Sequence, residues 1–145
     1  PPFEAYKSTH PYVFISYAHS DMKQVFNLIS KLHDKGCRIW YDEGIEPGNE
    51  WPEVVGKALL SCSQFLVFLS PASIKSRNVR NEINLALSEK KNIIVIVLEK
   101  TTLTAGMKLQ LGPVQNIEKE QFRPGSFIER VVQYIDPKTI SSGKG

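Results

Sequence analysis

The fold of this chain is decided by one continuous apolar run in its second half, Asn92-Ile93-Ile94-Val95-Ile96-Val97-Leu98. All residues between the first and the last of this run are β-branched, and β-branched side chains favour strands. A strand that is apolar at every position has both faces buried, as the central strand of a parallel sheet does. The run is far too short to cross a bilayer as a helix. It therefore predicts a parallel sheet that is covered on both faces.

Short apolar runs alternate with amphipathic stretches on both sides of this central strand. The predicted strands are residues 12–16, 37–41, 64–69, 92–98 and 114–117. Apolar residues recur at helical spacing over residues 25–32, 51–59, 79–87 and 127–135, and Gly36 ends the first of these helices. Strict alternation of this kind is typical of β-α-β units. The sequence thus predicts an α/β fold: a flavodoxin-like, five-stranded parallel sheet in the order 2-1-3-4-5, with helices on both faces.

The chain length predicts a single domain. At 145 residues the chain can bury one core and is too short for two. We place the domain at residues 11–136, after an N-terminal extension over residues 1–10 and before a C-terminal tail or linker over residues 137–145. We expect residues 1–10 and 141–145 to be frayed.

Composition argues against several classes of function. The net charge is +3, and the 18 basic residues are scattered among 15 acidic ones, whereas nucleic-acid binders usually cluster their basic residues. Cys37 and Cys62 lie far apart without a neighbouring pair of histidines, which excludes a zinc site and predicts two small buried residues in a reducing compartment. The opening Pro1-Pro2-Phe3-Glu4 lacks the basic start and apolar core of a secretory signal. We therefore expect a cytoplasmic protein that binds neither nucleic acid nor membrane.

The predicted strand order fixes where a ligand would bind. The chain reverses direction between strands 1 and 3, and ligands of such sheets bind beyond the carboxyl ends of the strands at that point. The loops there are residues 17–21, 42–50 and 70–78. A phosphoacceptor site would need acidic residues after strand 1, where Ser16-Tyr17 stands, and a nucleotide cofactor would need a glycine-rich loop, which the sequence lacks. A nucleotide that binds here is therefore expected to be a substrate.

A few side chains near these loops could carry chemistry. Glu82 can direct a carboxylate into the crevice, although a glutamate in a first helical turn also suits the helix dipole. His19 could act as an acid or base, but the sequence offers no obvious carboxylate to orient it, so an ordinary loop histidine is the simpler interpretation. Ser20-Asp21 is most simply the N-cap of the first helix. Tyr17 and Trp51 could stack on a ligand ring or belong to the core and its rim.

Four stretches resemble a known family when they are taken together. They are Phe14-Ile15-Ser16-Tyr17 with Ser20-Asp21, then Tyr41-Asp42-Glu43-Gly44-Ile45-Glu46-Pro47-Gly48 with Trp51, then Phe68-Leu69-Ser70-Pro71, and finally Ser76-Arg77-Asn78-Val79-Arg80-Asn81-Glu82. In this order and spacing they resemble the conserved boxes of the Toll/interleukin-1 receptor (TIR) domain, in its bacterial form. The second stretch resembles the loop that the family calls the BB loop. The likeness covers most of the chain.

The resemblance implies an activity and assigns residues to it. Enzymatic TIR domains cleave NAD⁺ at the bond between nicotinamide and ribose, with NAD⁺ as substrate and with no cofactor or metal. By this resemblance Glu82 is the catalytic residue. The substrate-binding residues would be Ser16, Tyr17, Asp42, Gly48, Trp51 and Asn78. The residues of the BB loop that would contact other TIR domains are Glu43, Gly44, Ile45, Glu46 and Pro47. Many enzymatic members carry tryptophan where this chain has Asn78, a departure that puts the product and the activity in question.

Two functions follow from the resemblance. The first is an NAD⁺ glycohydrolase or cyclase of bacterial antiviral defence, releasing nicotinamide and either ADP-ribose or a cyclic isomer. Head-to-tail association with other TIR domains would activate it, under a sensor domain that is fused to it or acts in trans. The alternative is a non-enzymatic TIR adaptor in immune signalling. The presence of Glu82 favours the enzyme, and Asn78 keeps the adaptor open.

Overall fold

The structure is a computed structural model that describes residues 1–44 and 52–141. Its strands are β1 (Val13–Ser16), β2 (Ile39–Trp40), β3 (Gln64–Leu69), β4 (Asn92–Val97) and β5 (Gln115–Glu118). Its α-helices are α1 (Met22–Asp34), α2 (Pro52–Ser61), α3 (Arg77–Ser88), α4 (Ala105–Leu111) and α5 (Pro124–Tyr134). All strand pairs are parallel, and the sheet order is β2-β1-β3-β4-β5. The predicted fold class and strand order are confirmed.

Helices cover both faces of the sheet, and each face has its own apolar core. On one face Ile15, Leu66 and Ile94 pack with the buried stripes of α1 and α5. On the other face Phe65 and Val95 pack with α2, α3 and α4. Alternate residues of each strand point to opposite faces, so a strand in contact with both cores must be apolar throughout. This explains why every residue of β3 after Gln64, and of β4 after Asn92, is apolar.

The chain between β4 and β5 departs from the prediction. Helix α4 was not predicted, and β5 begins one residue later than expected, at Gln115. Only Met107 and Leu111 of α4 are buried, which is too few to give a periodic pattern over so short a helix. Thr104 forms its N-cap by accepting a hydrogen bond from the backbone N–H of Met107 at 3.1 Å. The helix therefore depends on a cap and two anchoring side chains.

Strand β2 is shorter than the predicted residues 37–41. Residues from both ends of the chain form hydrogen bonds with the backbone in and beside this strand. Cys37 forms an isolated antiparallel bridge with Ile140, and the N–H of Arg38 donates to the carbonyl oxygen of Thr139 at 2.9 Å. On the N-terminal side, the N–H of Tyr6 donates to the carbonyl oxygen of Ile39 at 2.8 Å. The expectation that residues 1–10 are frayed is wrong, since Ala5 is also buried.

The structure confirms the expectations for one glycine and for both cysteines. Gly36 follows α1 at φ +94°, as a helix-ending glycine does. Cys37 and Cys62 are free and buried, as predicted. In the described part of the chain, no helix is long and apolar enough to span a membrane.

Candidate functional site

A cleft of about 240 Å³ opens at the carboxyl ends of β1 and β2, next to the start of α3. This is the side of the sheet on which the chain reverses between β1 and β3. The described residues that line it are Phe14, Ile15, Tyr17, His19, Trp40, Asp42, Ser76, Asn78 and Glu82. The structure thus brings Tyr17, Asp42, Asn78 and Glu82 of the predicted site together in one place.

Glu82 lies in the cleft and is held there by Ser16. The Ser16 hydroxyl donates a hydrogen bond of 2.6 Å to Oε1 of Glu82. Ser16 is the last residue of β1 and is 1% exposed, while Glu82 is half-buried. A buried hydroxyl that donates to a carboxylate makes a strong, charge-assisted hydrogen bond. The position of the carboxylate is therefore coupled to the central sheet.

The start of α3 directs Glu82 into the cleft. Ser76 is the N-cap, and its Oγ accepts a hydrogen bond from the N–H of Val79 at 3.2 Å. Val79 and Ile83 point into the core, so the neighbouring Glu82 lies at the edge of the buried stripe. The first turn of α3 contains no acidic residue. The alternative explanation of Glu82 as a first-turn residue that suits the helix dipole is therefore wrong.

Tyr17 is a buried wall of the cleft whose hydroxyl is used within the protein. Its ring lies edge-on to Phe26, and its hydroxyl donates to the carbonyl oxygen of Asp42 at 2.5 Å. Burial raises the pKa of Tyr17 far above its usual range, with smaller contributions from the negative charges of Asp42 and Glu82 and from Tyr41. Tyr17 therefore stays neutral and joins the end of β1 to the loop that follows β2.

A histidine and a carboxylate pair at the mouth of the cleft. Nε2 of His19 lies 3.0 Å from Oδ2 of Asp42. The two residues follow β1 and β2, and these strands are neighbours in the sheet. The expectation that His19 lacks a carboxylate to orient it is wrong, because this partner comes from 23 residues away in the sequence.

Asp42 also fixes the beginning of the BB loop. Its Oδ1 accepts a hydrogen bond from the N–H of Gly44 at 2.9 Å. Gly44 has φ +71°, a left-handed conformation that glycine adopts without strain. A Cβ atom added at Gly44 would lie 2.3 Å from Cε of Met22. Both its conformation and its surroundings therefore favour glycine at this position.

Glu43, predicted to contact other domains, is engaged within this chain. Its Oε2 accepts a hydrogen bond from the N–H of Ala5 at 2.7 Å. The predicted site and interaction residues Ile45, Glu46, Pro47, Gly48 and Trp51 lie outside the described residues. The structure thus describes only the first two residues of the predicted interaction surface, Glu43 and Gly44.

Trp40 and Phe14 line the cleft, and neither was predicted as a site residue from the sequence. Trp40 lines the cleft and stacks on Phe14, with ring centroids 5.0 Å apart and an interplanar angle of 17°. Trp40 precedes Asp42 by two positions, a spacing that puts two residues on the same side of a strand. That spacing could have identified Trp40 as a second aromatic wall.

Asp21 is the N-cap residue of α1, as predicted, but its side chain does not cap the helix. Its Oδ2 accepts a hydrogen bond from the Ser70 hydroxyl at 2.5 Å instead. This bond joins the loop after β1 to the loop after β3, beside the cleft.

Among the described residues, no group of three or more His, Cys, Asp or Glu side chains could hold a metal ion.

Comparisons with known proteins agree with this architecture. Among curated proteins, none matches the sequence. Among solved structures, the TIR domain of the Toll-related receptor TRR-2 from Hydra magnipapillata has a TM-score of 0.68 at 23% identity, over 83% of this chain and 94% of that one. The CMP N-glycosidase BcmB of Clostridium botulinum has a TM-score of 0.61 at 19% identity, over 86% and 99%. The TIR domains of the activated Roq1 resistosome, which recognises the pathogen effector XopQ, have a TM-score of 0.69 at 13% identity, over 87% and 99%.

At these identities the structural similarities establish a shared fold. The family itself is established by sequence, since a family model for the TIR domain matches residues 13–135. That match spans both the five-stranded sheet and every described residue of the cleft. The chain therefore belongs to the TIR domain family.

Proposed function

We propose that this TIR domain is an NAD⁺ nucleosidase that cleaves the bond between nicotinamide and ribose. The observation that carries the proposal is the hydrogen bond between Ser16 and Glu82 within the cleft. It holds one carboxylate in a fixed position beside aromatic and amide side chains. A site of that kind can stabilise the positive charge that develops on a ribose when its leaving group departs.

The chemistry of NAD⁺ suits a site built around one carboxylate. Nicotinamide leaves as a neutral molecule, so the reaction needs no general acid of the kind that ordinary glycosides require. The ribose becomes positively charged in the transition state, and a preorganised negative charge stabilises it. Glu82 supplies that charge, and the hydroxyl of Ser16 limits the positions that its carboxylate can take.

The neighbouring side chains give the cleft the features of a nucleotide site. Trp40 and Tyr17 provide aromatic walls, and Asn78 provides an amide that can bond ribose hydroxyls. BcmB, which shares the fold, is named as an N-glycosidase of CMP. Cleavage of an N-glycosidic bond in a nucleotide is therefore a reaction known to be compatible with this architecture. The product, linear ADP-ribose or a cyclic isomer, depends on which nucleophile reaches the ribose.

We further propose that the domain acts in an assembly. The described start of the BB loop is anchored at Asp42 and Gly44, beside the cleft, so a neighbouring domain that contacts the loop would also border the substrate. The TIR domains of Roq1, which share the fold, are named as part of an activated resistosome. NAD⁺ depletion after assembly, under a sensor domain, would suit a role in bacterial antiviral defence.

A non-enzymatic adaptor is the second candidate, and Asn78 is the observation that favours it. Asn78 lines the cleft at the position where many enzymatic members carry tryptophan. An adaptor would use the same BB loop to bind other TIR domains without cleaving a substrate.

Product analysis distinguishes the two candidates. The concentrated domain is incubated with NAD⁺, and nicotinamide, ADP-ribose and cyclic isomers are separated by chromatography. The enzyme produces one nicotinamide for each NAD⁺ consumed. If a folded, concentrated sample releases no nicotinamide, the nucleosidase proposal is wrong and the adaptor is favoured.

A further inference from the structure

We propose that His19 is the base that accepts a proton from the water molecule attacking the ribose, and that Asp42 positions it. The inference rests on the proposed nucleosidase activity and adds a second functional group to it. His19 and Glu82 line the same cleft, yet their partners differ: Glu82 bonds a hydroxyl, and His19 bonds a carboxylate. The two groups are therefore equipped for different steps.

The contact with Asp42 determines which ring nitrogen of His19 can act as a base. An ionised carboxylate only accepts hydrogen bonds, so the Nε2 that faces Oδ2 of Asp42 at 3.0 Å must carry a hydrogen. In neutral imidazole the other nitrogen, Nδ1, then has a free lone pair. Within residues 1–44 and 52–141, no hydrogen bond occupies Nδ1 of His19. The pair thus has the arrangement in which a carboxylate selects the tautomer of a catalytic histidine.

Asp42 is itself held by two hydrogen bonds, which restrict the position of its carboxylate. Its Oδ1 accepts a hydrogen bond from the N–H of Gly44 at 2.9 Å, and its carbonyl oxygen accepts one from the Tyr17 hydroxyl at 2.5 Å. The Tyr17 ring lies 5.7 Å from the His19 ring, between centroids. His19 begins a short 3-10 helix and its side chain is partly exposed, and these contacts restrict both members of the pair.

The reaction needs a second group because Glu82 already has a task. In the first step the bond between the ribose C1′ and the nicotinamide nitrogen breaks, and its electron pair leaves with nicotinamide. The anionic Glu82 stabilises the resulting ribosyl cation. In the second step the oxygen of a water molecule bonds to C1′, and one of its protons passes to Nδ1 of His19. The imidazolium, stabilised by Asp42, then releases that proton to solvent, so that the products are nicotinamide, ADP-ribose and one proton.

The experiment separates the two steps by measuring two reactions in the same sample. Hydrolysis to ADP-ribose requires both steps, whereas exchange of isotopically labelled nicotinamide into NAD⁺ requires only formation and recapture of the cation. The variants are His19→Gln, which can donate to Asp42 but cannot accept a proton, and Asp42→Asn, whose amide would favour the opposite tautomer. His10→Gln is the matched control, since His10 is an exposed histidine outside the cleft.

The expected result is a change in partition between the two reactions. For His19→Gln and Asp42→Asn, the ratio of hydrolysis to exchange falls by about 10²-fold or more, the lower end of the range for general-base catalysis. His10→Gln keeps the parent ratio. An unchanged ratio in His19→Gln, with both reactions either retained or reduced equally, overturns the role of His19 and leaves the nucleosidase proposal intact. A parent that neither hydrolyses NAD⁺ nor exchanges nicotinamide overturns the proposed function, and this inference with it.

Discussion

Oγ of Ser16, at the end of β1, donates a hydrogen bond of 2.6 Å to Oε1 of Glu82, in the second turn of α3. The two residues are 66 positions apart in the sequence. Ser16 belongs to a strand buried at every position, so it has little freedom to move. The bond therefore gives the Glu82 carboxylate a fixed place relative to the sheet, as preorganised stabilisation of a charged transition state requires.

Ser16→Ala should lower NAD⁺ cleavage roughly 10- to 100-fold, because a carboxylate displaced by a fraction of an ångström stabilises the transition state less well. The measurement is the initial rate of nicotinamide release, with folding checked by circular dichroism. Ser70→Ala is the matched control, since it removes another buried hydroxyl that donates to a carboxylate, that of Asp21. It should cost about 1–3 kcal/mol of stability with little change in rate. Equal rate losses in both variants would contradict the specific role of Ser16.

Gly44→Ala and Gly56→Ala should have opposite effects on stability. Gly44 has φ +71°, and its added methyl group would displace the end of the Met22 side chain, so alanine should destabilise the fold by roughly 1–2 kcal/mol. Gly56 lies within α2, and an added Cβ there meets nothing within 4 Å. Alanine at position 56 should stabilise the protein by about 0.5–1 kcal/mol. Urea unfolding measures both changes, and a Gly44→Ala variant that is as stable as the parent or more stable would contradict the described loop conformation.

Stability should fall at alkaline pH. Burial raises the pKa of the Cys37 and Cys62 thiols to about 11, although Lys91 opposes the effect at Cys62. Burial also raises the pKa of Tyr12 to about 12. Below their ordinary pKa values, these groups are neutral in both the folded and the unfolded chain. Above those pKa values, the groups lose their protons in the unfolded chain before they do so in the folded one. The stability they contribute is therefore complete below about pH 8.5 and is lost progressively toward pH 12.

Urea unfolding between pH 8 and pH 11 tests this dependence. We expect the free energy of unfolding to fall on the order of 2 kcal/mol or more. Cys62→Ala, which removes one titrating group, should show a shallower fall than the parent. A free energy of unfolding that stays constant up to pH 11 would show that these groups are not buried as described.

Specific activity should rise with protein concentration if the domain works in an assembly. Head-to-tail contacts do not close on themselves, so they build open filaments whose length depends on concentration. The rate of NAD⁺ cleavage per molecule is measured from dilute to concentrated solution, and again with a crowding agent. A rate per molecule that is constant over this range would indicate a self-sufficient monomer.

Most of the fold could be predicted because it depends on local patterns. The apolar sequences of β3 and β4 and the stripes of α1 and α3 identify their elements without knowledge of their partners. Helix α4 could not be predicted in this way, since a cap at Thr104 and only two buried side chains define it. The shortening of β2 could not be predicted either, because it results from hydrogen bonds to residues far away in the sequence, such as Tyr6 and Thr139.

The candidate site shows the same division between local and distant contacts. Glu82 and Ser16 were selected by their place in recognisable motifs, and the structure adds the bond between them. The sequence does not identify a carboxylate that would orient His19, since the nearby Asp21 is most simply a helix cap. The strand order does place the loops after β1 and β2 side by side, but only the structure shows that Asp42 reaches Nε2 of His19.

The proposed activity depends on Glu82, and a comparison of two glutamine variants tests this role most directly. Glu82→Gln keeps the size of the side chain and removes its charge, and Glu89→Gln makes the same change at the exposed C-terminal end of the same helix. The measurement is nicotinamide release from NAD⁺ by parent and variants at equal, high concentration. We predict that Glu82→Gln retains the parent's melting temperature and loses at least about 10²-fold in rate, while Glu89→Gln matches the parent. A Glu82→Gln variant that releases nicotinamide as fast as the parent would show that Glu82 is not the catalytic residue.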